Sequence, residues 1–239
     1  MDMNTFFFGV YPYIAIVVLI LGSVIRFDRE QYTWRTGSSQ LLRRKQLMWG
    51  SVLFHVGILM IFGGHVVGLL TPVAIWDSLH VAHSFKQMLA IVAGGFAGLL
   101  MMMGGLLLLH RRLFDARIRA TSTFGDTAIL IILLVQLCLG FFTIRVSMGH
   151  LDGAEMIKFM TWAQGIFTFR TRIADVVANV DWVFKIHIVL GLTIMIVFPF
   201  TRLVHMLSAP VWYLNRRGWQ LVRSKRRMPV ARRAGGQNQ

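Results

Sequence analysis

Residues 51–70 read SVLFHVGILMIFGGHVVGLL, and this stretch decides the fold of the chain. A helix that crosses a membrane needs about 20 mostly apolar residues, so the run is long enough to span a bilayer. It nevertheless carries two histidines, His55 and His65. Ionisable side chains inside a membrane helix are rare because their desolvation is costly, so a pair of them indicates a function.

A second apolar segment carries histidines in the same way. Residues 183–205 read VFKIHIVLGLTIMIVFPFTRLVH, with His187 and His205 near the two ends. We therefore expect the functional site to lie between these two segments.

The composition is that of an integral membrane protein. Of the 239 residues, 56% are hydrophobic and 15% are charged, and the mean hydropathy is +0.62. A soluble domain of this size would show amphipathic stripes, whereas uninterrupted apolar runs dominate here.

The net charge of +15 does not indicate a nucleic-acid partner. The basic residues cluster in the connections between apolar runs, where they orient a membrane protein. Proteins that bind DNA or RNA rarely carry so much apolar sequence, so we expect no nucleic acid.

Cysteine usage limits how a cofactor can be held. The one cysteine, Cys138, has no partner for an internal disulfide, and the chain contains neither a CxxC nor a CxxCH motif. Any haem would therefore be bound non-covalently. The chain also lacks the set of cysteines that an iron–sulfur cluster needs.

Apolar runs predict an all-α integral membrane protein, a bundle of five transmembrane helices. The first run lacks a basic n-region and an AxA-like cleavage site, so we expect it to be retained. The predicted spans are roughly 6–26, 49–70, 87–109, 125–147 and 183–205. Residues 1–226 would form one transmembrane domain, and the basic tail, 227–239, is expected to be disordered on the cytoplasmic side.

Two residue types predict how the spans pack. The third span is rich in small residues that allow close helix approach in lipid: Gly94, Gly95, Gly98, Gly104 and Gly105. Pro199 should kink the fifth span or mark a lost backbone hydrogen bond.

Lysine and arginine predict the orientation. None precedes the first span, whereas the first connection holds six, the third holds four, and the chain from Arg202 onward holds nine. The second and fourth connections together hold the remaining six. The positive-inside tendency then places the N-terminus outside and the C-terminus in the cytoplasm.

The segment LDGAEMIKFMTWAQGIFTF, 151–169, would lie on the outer side. Its apolar residues have helical spacing, so we expect a helix that lies on the membrane surface or covers a site.

This orientation gives each histidine a depth. The second span runs outward and the fifth runs inward, so His55 would face His205 near the cytoplasm and His65 would face His187 near the outer side. Two imidazoles at each of two depths would hold two haems, because a neutral ring nitrogen binds iron well. The spacings differ, however: ten residues rise about 15 Å and eighteen about 27 Å in a straight helix. The two pairs are level only if a helix or haem tilts or the fifth span bends.

Other functions remain open at this point. A single histidine in a helix is more often a hydrogen-bonded interior residue than a ligand. A proton relay or a divalent-metal transporter also uses intramembrane histidines. Transport is disfavoured because carboxylates usually share that work, and the apolar interiors of the spans contain none.

The chain also closely resembles the gamma subunit of respiratory nitrate reductase, a diheme cytochrome b. The resemblance runs from the first span to about residue 223. It depends on these segments taken together: FFFGVYPYIA, QYTWR, SSQ, FHVGILMIFGGHVVGLLTP, KQMLAIVAGG, RRLFDARIRATST, LDGAEMIKFMTWAQGIFTF and HIVLGLTIMIVFPFTRLVH.

The resemblance implies two haem b groups with histidine axial ligands. His55 and His205 would hold the haem on the cytoplasmic side, and His65 and His187 the haem on the outer side. A quinol, menaquinol or ubiquinol, would be oxidised beside the outer haem, with Lys86 in the position of the family's quinol-binding lysine. Without the resemblance, Lys86 would be interpreted as a snorkelling or orienting charge.

Further residues are candidates for contacts with these groups. Gly64 and Gly68 flank His65 and would let a flat ring approach the backbone. Arg111, Arg112 and Arg202 would pair with haem propionates, although positive-inside charge explains them about as well.

The resemblance implies a complex in the bacterial inner membrane that serves anaerobic nitrate respiration. Electrons from quinol would pass through the two haems to an iron–sulfur (beta) subunit and then to a molybdenum-containing (alpha) subunit that reduces nitrate. This chain would hold no nitrate site. A dihaem anchor of a sulfur-pathway or heterodisulfide-type complex is the alternative within the same chemistry.

Overall fold

A computed structural model describes residues 2–34, 39 and 41–208. Within these residues the chain is helical and has no strands. Five helices are long and apolar enough to cross a membrane, as the sequence predicts. The first to fifth spans are Met3–Arg29, Arg44–Leu70, His83–Phe114, Phe124–Ser147 and Trp182–Phe200.

Shorter helices occupy the connections. The α-helices are Val73–Ser78, Ala116–Ala120 and Ala154–Phe167, and the 3₁₀ helices are Gln31–Thr33, Ile173–Val177 and Arg202–Ser208. The first span contains a π-helical stretch, Phe6–Val10, just before Pro12. Pro12 has no N–H to give to a helical hydrogen bond, which favours irregular hydrogen bonding at this point.

The fifth span is shorter than predicted. Its α-helix ends at Val197, a 3₁₀ turn covers Phe198–Phe200, and Thr201 is extended, with φ −118° and ψ 179°. The prediction of one span over 183–205 was therefore wrong at its end, and His205 lies on the separate helix Arg202–Ser208. Pro199 gives the reason, because its ring clashes with the preceding turn and it donates no hydrogen bond.

The spans pack in the order second, third, fourth, fifth and first. Glycines make the contact between the second and third spans very close: a Cβ on Gly57 would lie 2.6 Å from the carbonyl oxygen of Ala97, and one on Gly104 would lie 2.7 Å from that of Gly50. Without a hydrophobic driving force between helices in lipid, such small residues are what permits close packing.

The prediction for the third-span glycines holds for three of the five. Gly98 packs against Phe141, Gly104 against the second span, and Gly105 against Leu134. Around Gly95 there is open space, and Gly94 has one neighbour at ordinary contact distance.

The segment 151–169 forms the helix Ala154–Phe167, which we call the lid helix. Its buried face includes Met160, Trp162 and Ile166. The Trp162 indole donates a hydrogen bond of 2.9 Å to the Phe8 carbonyl, and the Gln164 amide donates to the carbonyls of Leu69 and Thr71, each at 3.0 Å. The lid helix thus ties the start of the first span to the end of the second.

The opposite end of the bundle, which we call the arginine-rich end, carries several arginines that contact one another's neighbours: Arg26, Arg43, Arg111, Arg112 and Arg202. Asp115 caps the helix Ala116–Ala120 and accepts a hydrogen bond of 2.9 Å from Arg43. Burial by itself would raise the pKa of the Asp115 carboxyl, but the N–H groups of Ile118 and Arg117 and the Arg43 guanidinium outweigh it and lower that pKa below its usual value.

The chain separates into a compact unit, 1–206, and a second unit, 207–239, of which the structure describes only Leu207 and Ser208. The predicted tail, 227–239, lies outside the described residues.

We expect Gly104→Ala to destabilise the protein, because the added methyl group would meet the backbone of the second span. Overpacking of this kind costs about 1–3 kcal/mol. Gly95→Ala is the matched control, since a Cβ there meets nothing within 4 Å. Thermal unfolding midpoints in detergent would test this, and equal midpoints for the two variants would contradict it.

Candidate functional site: two facing histidine pairs

The structure brings the four histidines together as two pairs. The ring centres of His55 and His205 are 6.1 Å apart, with the rings tilted by 73°. Those of His65 and His187 are 6.2 Å apart, with a tilt of 33°. These are the pairs expected from the antiparallel course of the second and fifth spans.

The separation within each pair fits one metal ion between two imidazoles. A metal–imidazole bond is about 2 Å long and a ring nitrogen lies roughly 1 Å from the ring centre, so two rings on opposite sides of one ion have centres about 6 Å apart. Both pairs show this spacing.

Backbone carbonyls orient three of the four rings. Nδ1 of His55 donates to the Ser51 carbonyl at 2.7 Å, and Nδ1 of His65 donates to the Ile61 carbonyl at 2.8 Å. Nδ1 of His205 bonds to the carbonyl of Arg202. A hydrogen bond at Nδ1 fixes the tautomer in which Nε2 carries the lone pair, as in histidines that bind metals.

His187 has a different environment. Its Nδ1 is buried and has no hydrogen-bond partner among the described residues. Its Nε2 lies 3.5 Å from Nε2 of Gln136, within hydrogen-bond distance, and the same amide donates a 3.0 Å hydrogen bond to the His187 carbonyl. A buried polar atom without a partner is costly, so Nδ1 of His187 retains the capacity to bind a further group.

Gln136 was not among the residues predicted from sequence. Its signal there is weak: one amide within the apolar run LLVQLCLG. Only the packing of the fourth span against the fifth shows that this amide bonds to the backbone of His187.

The second span has room beside His65. A Cβ built on Gly64 or Gly68 meets nothing within 4 Å, in contrast to Gly57 on the same helix. His65 and Gly64 are both exposed. This face can therefore accept a flat ring against the helix backbone.

The chemistry of the donors favours a haem over a bare metal ion. Structural zinc takes four protein ligands and catalytic zinc takes three. In the described part of the chain no group of three or more His, Cys, Asp or Glu is arranged to hold a metal. A pair of imidazoles suits an iron whose other four ligands come from a porphyrin.

Lys86 lies in the first turn of the third span and is buried, with 5% of its surface exposed. Its Nζ is 2.6 Å from the sulfur of Met160 and 4.6 Å from the ring centre of Trp76. No carboxylate pairs with it among the described residues. The side chain therefore does not snorkel to water, and its charge is compensated by a soft sulfur and an aromatic face.

The three candidate propionate ligands are separated into two places. Nη2 of Arg111 donates to the carbonyls of Ser39 and Leu42, at 2.5 and 2.8 Å. Arg112 and Arg202 instead meet at Asp126: Arg112 donates to its carbonyl at 2.5 Å, and Nε of Arg202 lies 3.2 Å from its carboxylate. Arg111 thus holds a loop, and a role for any of the three toward propionates stays a prediction.

Comparisons with known proteins place the chain in one family. The family profile described as "Nitrate reductase gamma subunit" matches residues 4–225. The respiratory nitrate reductase 1 gamma chain of Escherichia coli (strain K12) is 48% identical over 223 residues, which are 93% of this chain and 98% of that protein. The nitrate reductase gamma chain of Bacillus subtilis (strain 168) is 38% identical over 208 residues, or 87% of this chain and 93% of that protein.

Proposed function

Since the chain belongs to the family of nitrate reductase gamma subunits, the membrane-anchoring cytochrome b subunits of nitrate reductase, we propose that it oxidises quinol and delivers the electrons to an iron–sulfur partner. It is a multi-pass protein of the cytoplasmic (inner) membrane and one component of an oxidoreductase. The reaction on nitrate belongs to another subunit.

The observation that carries this proposal is that four histidines form two facing pairs. His55 with His205 and His65 with His187 each have the spacing of bis-histidine ligation. Two b haems, when held there, supply one-electron redox centres at two depths in the membrane. The chain orients three of the ligands: in His55, His65 and His205 the backbone carbonyl bonded to Nδ1 leaves Nε2 free for iron.

The two depths correspond to two sides of the membrane. The arginine-rich end carries His55 and His205, and the positive-inside tendency places it in the cytoplasm. The end with the lid helix, Lys86 and His187 is then outside. Quinol oxidised at that end releases its protons outside while electrons leave inward, so the reaction charges the membrane.

Lys86 is the proposed quinol contact. Burying an ammonium without a carboxylate is costly, and the charge is better compensated when a ligand oxygen accepts a hydrogen bond from it. Trp76 and Met160 fix where Nζ lies, and the lid helix excludes water from it.

The proposed partners follow from the chemistry that this chain lacks. One cysteine cannot hold an iron–sulfur cluster, so a beta subunit with such clusters would dock on the basic cytoplasmic end, and a molybdenum-containing alpha subunit would reduce nitrate. Family membership favours this complex over an anchor for sulfur-pathway or heterodisulfide-type enzymes, and over a histidine-based proton or metal transporter.

We expect His187→Ala to remove one of two b haems and to abolish nitrate reduction driven by quinol. His205→Ala should remove the other haem. His150→Ala is the control, because His150 is exposed and lies outside the spans. Reduced-minus-oxidised spectra with haem quantification on the purified complex would test this, and full haem content in His187→Ala would reject the ligand assignment.

We expect Lys86→Ala to keep both haems but to lose most quinol-dependent activity, because the hydrogen bond to the quinol oxygen is gone. Lys158→Ala is the matched control: Lys158 lies on the lid helix and is already paired with Glu155 at 2.7 Å. Two steady-state rates would be compared: one with a quinol analogue, and one with an artificial donor that reduces the partner subunits directly. The comparison separates quinol oxidation from nitrate reduction by the partner subunits. Normal quinol kinetics in Lys86→Ala would rule out its role.

A further inference from the structure

The helix that carries His205 does not continue the fifth span. Between them Thr201 is extended, so the regular hydrogen bonds that fix a side chain along a helix are interrupted four residues before the ligand. The position of His205 must therefore be set by contacts that other elements make on the two sides of this break.

Arg26 of the first span makes such contacts. Its Nη1 donates to the Pro199 carbonyl at 2.6 Å and to the Thr201 carbonyl at 2.8 Å, and its Nη2 lies 3.3 Å from the Thr33 carbonyl. The last carbonyls of a helix have no partner within it, and in a membrane they must find donors elsewhere. Hydrogen bonds from a charged guanidinium are roughly twice as strong as neutral ones.

The first span is also shaped to fit the break. Gly22 lies one turn before Arg26, and a Cβ at Gly22 would be 2.8 Å from Cγ of Pro199. The absence of a side chain at Gly22 lets the two backbones approach, and this places the Arg26 guanidinium within reach of both carbonyls.

The helix Arg202–Ser208, which follows the break, makes contacts of its own. Arg202 is paired with Asp126 of the fourth span, Val204 is fully buried, and Nδ1 of His205 bonds to the Arg202 carbonyl. Arg202 thus ties this helix to the fourth span, and Arg26 contacts the backbone where it joins the fifth.

We propose that Arg26 is a positioning residue for the cytoplasmic-side haem ligand: by holding the carbonyls of Pro199 and Thr201 it keeps the break in the conformation that turns His205 toward His55. The inference depends on the proposed function, in which His205 binds haem iron. Arg26 itself does not bind the haem and acts through the Thr201 backbone.

A second arginine on the first span is the matched control for Arg26. Arg29 lies on the same helix, one turn further on, and is exposed, with no partner among the described residues. Both arginines count equally toward the positive-inside charge, so replacing either one changes the orientation signal by the same amount. Only Arg26 contacts the break.

The experiment compares Arg26→Gln, Arg26→Lys and Arg29→Gln with the native chain and His205→Ala, all in the full membrane complex. Haem content, potentiometric titration of each haem and the low-temperature EPR signals of low-spin haem are measured. We expect Arg26→Gln to shift or lose the signal that His205→Ala removes and to leave the other haem unchanged. Arg26→Lys should fall between, since an ammonium can still donate, and Arg29→Gln should match the native chain.

The other outcomes either overturn the inference or reject the ligand assignment. Unchanged potentials and EPR signals in Arg26→Gln overturn the inference, and equal damage to both haems does so too, because it indicates a general structural role. If Arg26→Gln does not assemble, Arg26→Lys and Gly22→Ala decide: a change confined to the same haem supports the inference and none overturns it. If His205→Ala keeps both haems, the ligand assignment has failed, which is distinct from failure of Arg26 alone.

Discussion

The structure depends on one constraint: in a membrane, a polar group must find its partner within the protein. The histidines of the second span meet it locally, because Nδ1 of His55 and of His65 bonds to a carbonyl one turn earlier on the same helix. Satisfying Nδ1 in this way leaves Nε2 as the one acceptor. The requirement that makes intramembrane histidine rare is thus met here in a way that leaves one acceptor nitrogen on each ring.

The second, third and fourth spans pack closely, whereas the second and fifth spans stay apart. Gly57 and Gly104 bring the second and third spans into backbone contact, and Gly98 and Gly105 receive side chains of the fourth span. In the described residues the second and fifth spans do not pack extensively against each other, and one imidazole pair faces across the space between them. The other pair joins the second span to the helix Arg202–Ser208. Glycine placement therefore sets which spans pack in backbone contact and which stay apart.

The two histidines of the second span are ten residues apart and the other two are eighteen apart, and the extended backbone at Thr201 explains how both pairs can still form. A straight fifth helix would carry His187 and His205 on one face about 27 Å apart, whereas His55 and His65 are separated by about 15 Å. Because the α-helix ends near Pro199, His205 is released from the register of His187. The break leaves the carbonyls of Pro199 and Thr201 without partners in the helix, and the Arg26 guanidinium donates hydrogen bonds to both.

The sequence alone determined that the protein lies in a membrane, that five of its helices are long and apolar enough to span it, and which histidines face each other. These follow from apolar run length and chain direction, which are local properties. Pro199 predicted an irregularity in the fifth span, but not that His205 would lie on a separate helix. Nor could the sequence determine that Gln136 bonds to the His187 backbone, or that Arg111 bonds to Ser39 and Leu42 while Arg112 and Arg202 meet at Asp126. Those contacts join residues far apart in the chain, and a basic or amide side chain looks the same in sequence whether it meets water, a carbonyl or a carboxylate.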